Sequence, residues 1–590
     1  MLFKELAGYY EELEAVSSRL TMVGILSEMF KASELDEIDK IIYMTEGVLA
    51  PPFEGVESGV AEKTMIDAIA MATGHSKADV ENEYRASGDI GLSAMAASRK
   101  SRLKRIAQKQ FTVREIYASM RKIATISGVG SKLSKVRLLA DMISSSSPAE
   151  AKYIARYPLG QLRLGVGDAT ILEALSLMAT GERKSKADLE GAFNICSDLG
   201  AVGLVLRKEG MEGIRKFKVS LFKPIRPQLA ERLPTAEEIM KRMGGKAAVE
   251  QKYDGFRCQV HKKGKTVKIY SRRLEETTQM FPEVIAAAIH DLDAESIIFE
   301  GEALAYNDVT GEFLPFQETI QRKRKHGIKA MSESMPLRLF AFDLMYMEGK
   351  DYMGIPYSGR RAALERALRN SKTIIPSGRI IATSPGELER FFESSIEEGL
   401  EGIVAKDLSS AYTAGARKFS WIKMKRSYKG ELSDTVDLVI VGYYLGRGSR
   451  AEFGFGGLLC AAYNKSRDVF ETVSRIGTGF TEKQLSELKE RLEKIRSSGK
   501  PVRVDSILKP DFWVEPKYVV VVRADEITRS PTHTCGMRRQ GEGGGIGYAL
   551  RFPRLVGDET IRSDKGAEEA TTTEEIVEMF SIQKHLSIAR

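Results

Sequence analysis

The chain has 590 residues, 43% of them hydrophobic and 29% charged, with a formal net charge of +8. That length exceeds what one core can organise and predicts three or four domains, in a composition that excludes disordered and fibrous classes. No apolar run reaches the ~20 residues of a membrane-spanning helix, and acidic residues interrupt the apolar N-terminal pattern, so a cytoplasmic protein without a membrane partner is expected.

Residues 1–218 read as an all-helical domain. Leu35, Ile38, Ile41 and Ile42 recur at helical spacing. Thr112-Val-Arg-Glu115 and Ser147-Pro-Ala-Glu150 are capping boxes, the second with proline at the first helical position. Between Arg99 and Arg137 the only acid is Glu115. Against it stand Arg99, Lys100, Arg102, Lys104, Arg105, Lys109, Arg114, Arg121, Lys122, Lys132, Lys135 and Arg137. Such a stretch reads as a phosphate-backbone footprint, or more blandly as a solvated basic helix face.

Prolines in Phe222-Lys-Pro224-Ile-Arg-Pro227 mark a boundary, and strands follow. Segments 249–251, 257–262 and 266–271 read as strands, the last two joined by a Lys263-Gly264-Lys265 hairpin turn. Further strands are predicted at 296–299, 337–345 and 402–406, with a helix opened by Ser384-Pro-Gly-Glu387. This mixed α+β domain spans 219–426. Residues 427–590 begin with the strand pattern of 436–444 and carry one clear helix after Thr481-Glu-Lys-Gln484. Short strands around one helix suit a small barrel of the OB type. A last helix at 573–580 either packs back on the body or forms an exposed tail. The four cysteines, Cys196, Cys258, Cys460 and Cys535, form neither a disulfide framework nor a metal knuckle.

The chemistry concentrates in the middle third. In Glu250-Gln-Lys252-Tyr-Asp254-Gly255-Phe-Arg257 a lysine stands at the end of a strand, and Gly255 permits close backbone approach. A lone K-x-D-G is weak and reads equally well as a hairpin edge. Later segments add to it. Phe299-Glu-Gly-Glu302 brings a carboxylate pair, Phe340-Ala-Phe342-Asp343 aromatic rings, and Leu400-Glu401 to Lys406 an acid and a base flanking an apolar strand. Trp421-Ile-Lys423-Met-Lys425 points two lysines to one strand face. One amine, paired carboxylates, an aromatic plate and clustered cations are what a nucleotide-phosphate site requires. Gly264-Lys265-Thr266 lacks the glycine spacing of a P-loop, Gly541 to Gly547 lacks a dinucleotide fingerprint, and the six histidines show no metal spacing.

In order, these segments resemble the motifs of ATP-dependent DNA ligases of the archaeal and eukaryotic replicative type. Lys252 to Arg257 resembles the first motif and Ser271-Arg272-Arg273 the next. Phe342-Asp343-Leu-Met-Tyr346, Glu401 to Lys406 and Trp421 to Lys425 resemble the following three. Leu550-Arg-Phe-Pro-Arg554 with Arg562-Ser-Asp564-Lys565 resembles the last, across a gap longer than usual. Ser127-Gly-Val-Gly-Ser131 and Gln161-Leu-Arg-Leu-Gly165 are similar to that family's DNA-binding domain.

The resemblance implies a helical DNA-binding domain, an ATP-grasp-like nucleotidyltransferase domain and an OB barrel, acting as a monomer on nicked duplex DNA. It implies ATP with Mg²⁺ or Mn²⁺, and a lysyl-AMP on Lys252 made reactive by neighbouring cations (Arg257, Lys423, Lys425 and the metal). Lys423 and Lys425 are implied to contact the α-phosphate, and Arg272 the nick phosphate or the nucleotide. Glu302 would bind the ribose or a metal, Glu401 the metal, and Phe342 would stack on adenine. Glu250 and Arg417 join the nucleotide site, Asp254 fixes the loop, and Arg562 and Lys565 meet the pyrophosphate. Gln108 and Phe111 form part of a sliding-clamp motif, although Phe111 also fits a hydrophobic staple opening a helix. RNA ligases and mRNA-capping guanylyltransferases share the K-x-D-G chemistry but have no equivalent of the helical domain. A non-catalytic architectural DNA binder would not need every polar motif.

Overall fold

A computed structural model describes residues 1–103, 109–307, 312–313, 336–368, 370–398, 400–425, 435–446, 455–477, 480–524, 526–537, 545–556 and 561–585. It separates into two compact units. The first comprises Met1–Glu231, Ile239–Pro385 and Val404–Ile422, and the second Arg232–Glu238, Gly386–Ile403 and Lys423–Arg590.

The first unit opens with helices from Phe3–Glu14 to Leu199–Arg215 and no described strand between them. Local chemistry sets their starts. The Thr112 hydroxyl accepts the Glu115 amide at 3.2 Å while Glu115 accepts the Thr112 amide at 2.9 Å. Ser147 and Glu150 repeat the exchange at 3.3 and 2.8 Å. One continuous core, including Phe3, Phe30, Ile41, Ile69, Leu139 and Tyr153, holds the helices together. Leu35 departs from the predicted pattern: the helix is Ile38–Glu46, and Leu35 lies before it, 47% exposed.

Two sheets follow. In one, the strands run in the order Thr266–Ser271, Phe256–Lys263, Ser296–Asn307, Leu337–Met347 and Lys350–Asp351. Helices Pro282–His290 and Tyr357–Leu368 bring Val284, Ala288, Leu364 and Leu368 into the same core as Val260, Phe299 and Leu339. The other sheet is ordered Leu229–Arg232, Arg417–Lys425, Gly402–Lys406, Ala247–Lys252 and Arg379–Ala382. The predicted 296–299 strand is the start of a strand three times as long, because pairing with Phe256–Lys263 on one side and Leu337–Met347 on the other carries it past residues of low strand preference.

In the second unit the central strand Val436–Tyr444 pairs antiparallel with Gly457–Asn464, which pairs with Val469–Ile476. Leu438 and Ile440 face one core, and Val439 and Val441 another. The sheet is therefore covered on both sides, which explains why all of Gly457–Asn464 is buried. The expected closed OB barrel is not seen. Among the described residues the terminal strands Arg496–Ser497 and Val504–Asp505 do not pair with each other, and Glu526–Ser530 with Gly547–Arg551 forms a separate two-stranded sheet. Helix Glu482–Glu493 starts at the Thr481–Gln484 capping box. Helix Thr573–His585 packs inward, with Ile576 fully buried and the Phe580 ring 4.9 Å from that of Tyr548. Among the described residues no helix is long and apolar enough to cross a membrane.

Candidate active site

Lys252 closes the strand Ala247–Lys252, and after three intervening residues the chain enters Phe256–Lys263. That strand lies antiparallel to Ser296–Asn307 with Arg257 opposite Glu302 and Phe256 opposite Ala303. The register forces the glycine of the motif. A Cβ at Gly255 would collide with the Ala303 carbonyl oxygen and come within 2.8 Å of the Leu304 side chain. The close approach is thus to the neighbouring strand, not only to a ligand as the turn alone implied. The Gly255 amide donates to Glu302 Oε1 at 3.3 Å, which turns that carboxylate toward the lysine.

Burial is the largest influence on Lys252 and holds its ammonium below the ordinary lysine range. Glu302 and Asp254 oppose the shift, and Arg257 and Arg272 add to it. Sequence reasoning credited cations alone; desolvation comes first, because the amine sits at a strand end roofed by protein. Glu302 responds in the opposite sense. Burial raises its carboxyl, while Lys252, Arg257 and the Gly255 amide lower it. Asp254 acts on both groups through its charge.

Arg257 is an internal strut as well as a neighbour of the lysine. It donates to Glu300 Oε2 at 2.7 Å and to the Gln228 carbonyl at 2.9 Å, and its guanidinium lies 5.4 Å from the Phe342 ring centre. Phe342 is half-buried, edge-on to Trp421 at 6.0 Å and 4.9 Å from the Lys406 ammonium. A second aromatic pair was missed. Tyr253 stacks on Phe340 at 4.3 Å and 18°, and Phe340 is the register partner of Glu302. The alternation of Phe340 and Phe342 along one strand carried that signal.

Glu250 lies two residues before Lys252, buried and enclosed by donors. Tyr357, Arg361 at 2.9 Å and Lys406 at 2.8 Å all bind its carboxylate. Lys406 is itself buried and also donates to the Phe342 carbonyl at 2.9 Å. Arg272 and Arg273 are exposed after the strand Thr266–Ser271 and line a cavity of about 460 Å³ with Glu46, Asp168, Phe193 and Arg226. Arg417 is exposed at the start of its strand.

The remaining predicted residues lie in the second unit. Glu401 precedes the strand Gly402–Lys406 and forms an ion pair with Lys425, two residues beyond Lys423. Gly402 has φ of 147°, and a Cβ there would strike the Met424 carbonyl, so glycine lets these two segments close together. Arg562 chelates Asp564 through Nε and Nη2 at 2.7 and 2.6 Å. Lys565 donates to Asp437 at 2.6 Å. Among the described residues no cluster of three or more acidic, histidine or cysteine side chains could hold a metal alone. Glu302 and Glu401 instead offer one hard carboxylate each.

Several cations of the basic stretch have acidic partners. Arg114 pairs with Glu34, Asp36 and Glu37, and Lys135 is buried against the Ser58 carbonyl, while Lys132 and Lys109 pair with Asp67 and Glu115 and stay exposed. Lys104, Arg105 and Gln108 lie outside the described residues. Arg99, Lys100, Lys122 and Arg137 are exposed. Phe111 is 8% exposed and sits in the helical core beside the Thr112 cap. That is the position of a hydrophobic staple.

Models of three families match the chain: "DNA ligase N terminus" at residues 2–176, "ATP dependent DNA ligase domain" at 227–425 and "ATP dependent DNA ligase C terminal region" at 451–565. A probable DNA ligase of Dictyoglomus turgidum is 48% identical, covering 99% of this chain and 98% of the relative. A DNA ligase of Hyperthermus butylicus is 42% identical with the same coverages. A solved structure named Pmar-Lig_Pre is 17% identical with a TM-score of 0.57, covers 95% of this chain and 99% of its own, and bears on the fold alone.

Proposed function

The chain belongs to the ATP-dependent DNA ligase family, and from that premise we propose that it seals 3′-hydroxyl/5′-phosphate nicks in duplex DNA through an AMP carried on Lys252. The observation that carries this reading is the half-buried amine beside Glu302 and Arg257, with its ammonium destabilised by burial and by two arginines. An ordinary lysine, with a pKa near 10.4, is neutral only about once in several thousand at pH 7. Burial at this strand end raises the reactive fraction.

In the first step the Lys252 amine attacks the α-phosphorus of ATP. A phosphorus–nitrogen bond forms, the bond to the pyrophosphate oxygen breaks, and the ammonium proton leaves to solvent or to Glu302. AMP then passes to the 5′-phosphate at a nick, and the adjacent 3′-hydroxyl displaces it. Positioning and neutralisation of developing charge supply most of the catalysis. Lys423 and Lys425 serve the α-phosphate, Arg562 and Lys565 the leaving pyrophosphate, and Arg272 the nick phosphate or the nucleotide. Arg257 and Glu250 shape the pocket, Arg417 borders it, and Phe342 or the Tyr253–Phe340 pair stacks on the base.

Mg²⁺ suits a hard carboxylate such as Glu302 or Glu401, each taken by itself, and would supply charge neutralisation on the phosphates. Glu401 pairs with Lys425, and a cation held there would compete with that ammonium for the carboxylate. We further propose three functional domains at 1–218, 219–426 and 427–590, the last a barrel of the OB type, and a monomer contacting duplex DNA. The test is incubation with α-labelled ATP and magnesium, followed by denaturation. Label is expected on the wild-type chain and absent from Lys252→Ala; label retained by that variant overturns the assignment.

A further inference from the structure

The cations of the C-terminal motif are not free side chains on a surface. Asp437, near the start of the strand Val436–Tyr444, is 13% exposed, and one of its carboxylate oxygens takes both: Lys565 Nζ at 2.6 Å and Arg562 Nη1 at 3.6 Å. The guanidinium is fixed from its other edge by Asp564. The motif backbone is pinned on both sides of this cluster. The Arg562 amide donates to the Val519 carbonyl at 2.8 Å, and Thr571 exchanges two bonds with the Asp437 backbone, at 2.9 and 3.0 Å. Asp437 itself pairs with Val521 in the sheet, so its carboxylate is held by a rigid strand.

We infer that Asp437 is a positioning residue for adenylylation, holding Lys565 and Arg562 as a preorganised pair of cations that is presented to the pyrophosphate of ATP. An ammonium has three donors. One is committed to Asp437, and Lys565, 35% exposed, keeps two for phosphate oxygens. Arg562 gives Nε and Nη2 to Asp564 and turns Nη1 to the Asp437 oxygen that Lys565 also binds. Two long side chains would otherwise have to be ordered during the reaction, and a shared buried carboxylate removes most of that cost beforehand. The carboxylate also screens the two like charges from each other.

This inference rests on the proposed role of the motif in the first step, and the experiment separates the two. Single-turnover self-adenylylation at saturating ATP is measured for wild type, Asp437→Asn, Lys565→Ala and the double variant, alongside sealing of a nick already carrying AMP on its 5′-phosphate. Asn keeps the shape and the backbone bonds to Thr571, and removes only the charge. Asp437→Asn is expected to slow adenylylation about tenfold, within the ~100-fold that a misplaced reacting group can cost. Apparent ATP affinity should be undiminished and sealing of the preadenylated nick unchanged. The double variant should be slower than Lys565→Ala by less than the loss in Asp437→Asn alone, because Asp437 then has only Arg562 left to hold. A wild-type adenylylation rate in Asp437→Asn, additive losses, or an equal loss in sealing would overturn the inference. A wild-type rate in Lys565→Ala would instead overturn the reading of the motif.

Discussion

Lys252 and Glu302 are each other's strongest charged neighbour: the carboxylate is the largest charge acting on the amine, and the amine the largest acting on the carboxylate. Each is pushed by burial toward its neutral form and held toward its ionised form by the other. Burial thus favours the neutral amine that must attack phosphorus, and the carboxylate opposes it.

A pH profile follows from the signs. Lys252 reacts as the neutral amine, so adenylylation rises with pH and levels off above its pKa. Because burial places that pKa below the ordinary 10.5, the plateau begins earlier than for a solvated lysine. Removing the opposing carboxylate in Glu302→Gln lowers the lysine further and moves the midpoint to more acid pH, whatever happens to the maximal rate. Single-turnover rates from pH 5 to 10 check this; an alkaline shift contradicts the pairing.

Gly255→Ala tests the close approach of the motif to the strand Ser296–Asn307. The new methyl meets the Ala303 carbonyl and Leu304, so the strand must shift, at about 1–3 kcal/mol for an overpacked site. The same shift breaks the Gly255–Glu302 bond. Thermal unfolding should drop modestly and adenylylation by more than tenfold, near the cost of a ~1 Å misplacement.

Glu250→Ala removes the anion from a buried group of Tyr357, Arg361 and Lys406. Two cations are then left in the interior without their partner, a change that costs about 3–5 kcal/mol when one member of a buried pair is deleted. Denaturant unfolding should show that loss with little change in slope.

DNA affinity should depend on few of the basic residues between Arg99 and Arg137. Neutralising Arg99, Lys100, Lys122 and Arg137 together should flatten the salt dependence of binding, by up to about 0.9 in log–log slope for each phosphate that is no longer neutralised. Arg114→Ala should leave the slope alone, because its guanidinium is engaged by Glu34, Asp36 and Glu37. Equilibrium binding to nicked duplex across a salt series distinguishes the two.

Elements whose cause is local were legible in the sequence. The capping boxes at Thr112, Ser147 and Thr481, the strand at Val436–Tyr444 and the hairpin at Gly264 follow from a few adjacent residues. Lys252 was legible because its motif is followed in order by the carboxylates and lysines that its chemistry uses. What escaped depends on distant pairing. Nothing near Glu250 announces Arg361 and Lys406, which arrive from a helix and a strand over a hundred residues away. Asp437 was read only as part of an alternating strand, because its two cations stand 125 and 128 residues later (Arg562 and Lys565). The partners of Arg114 were hidden for the same reason: charge counts do not show which acids fold back on a cation.

The proposed reaction turns on one covalent bond, between Lys252 and AMP. Fragmentation mass spectrometry of the chain after incubation with ATP and magnesium, before any DNA is added, locates that bond directly. The prediction is a single AMP on the peptide containing Lys252, lost on addition of nicked duplex and absent in Lys252→Arg. AMP on another lysine, such as Lys423 or Lys425, or no covalent AMP while nicks are still sealed, would contradict it.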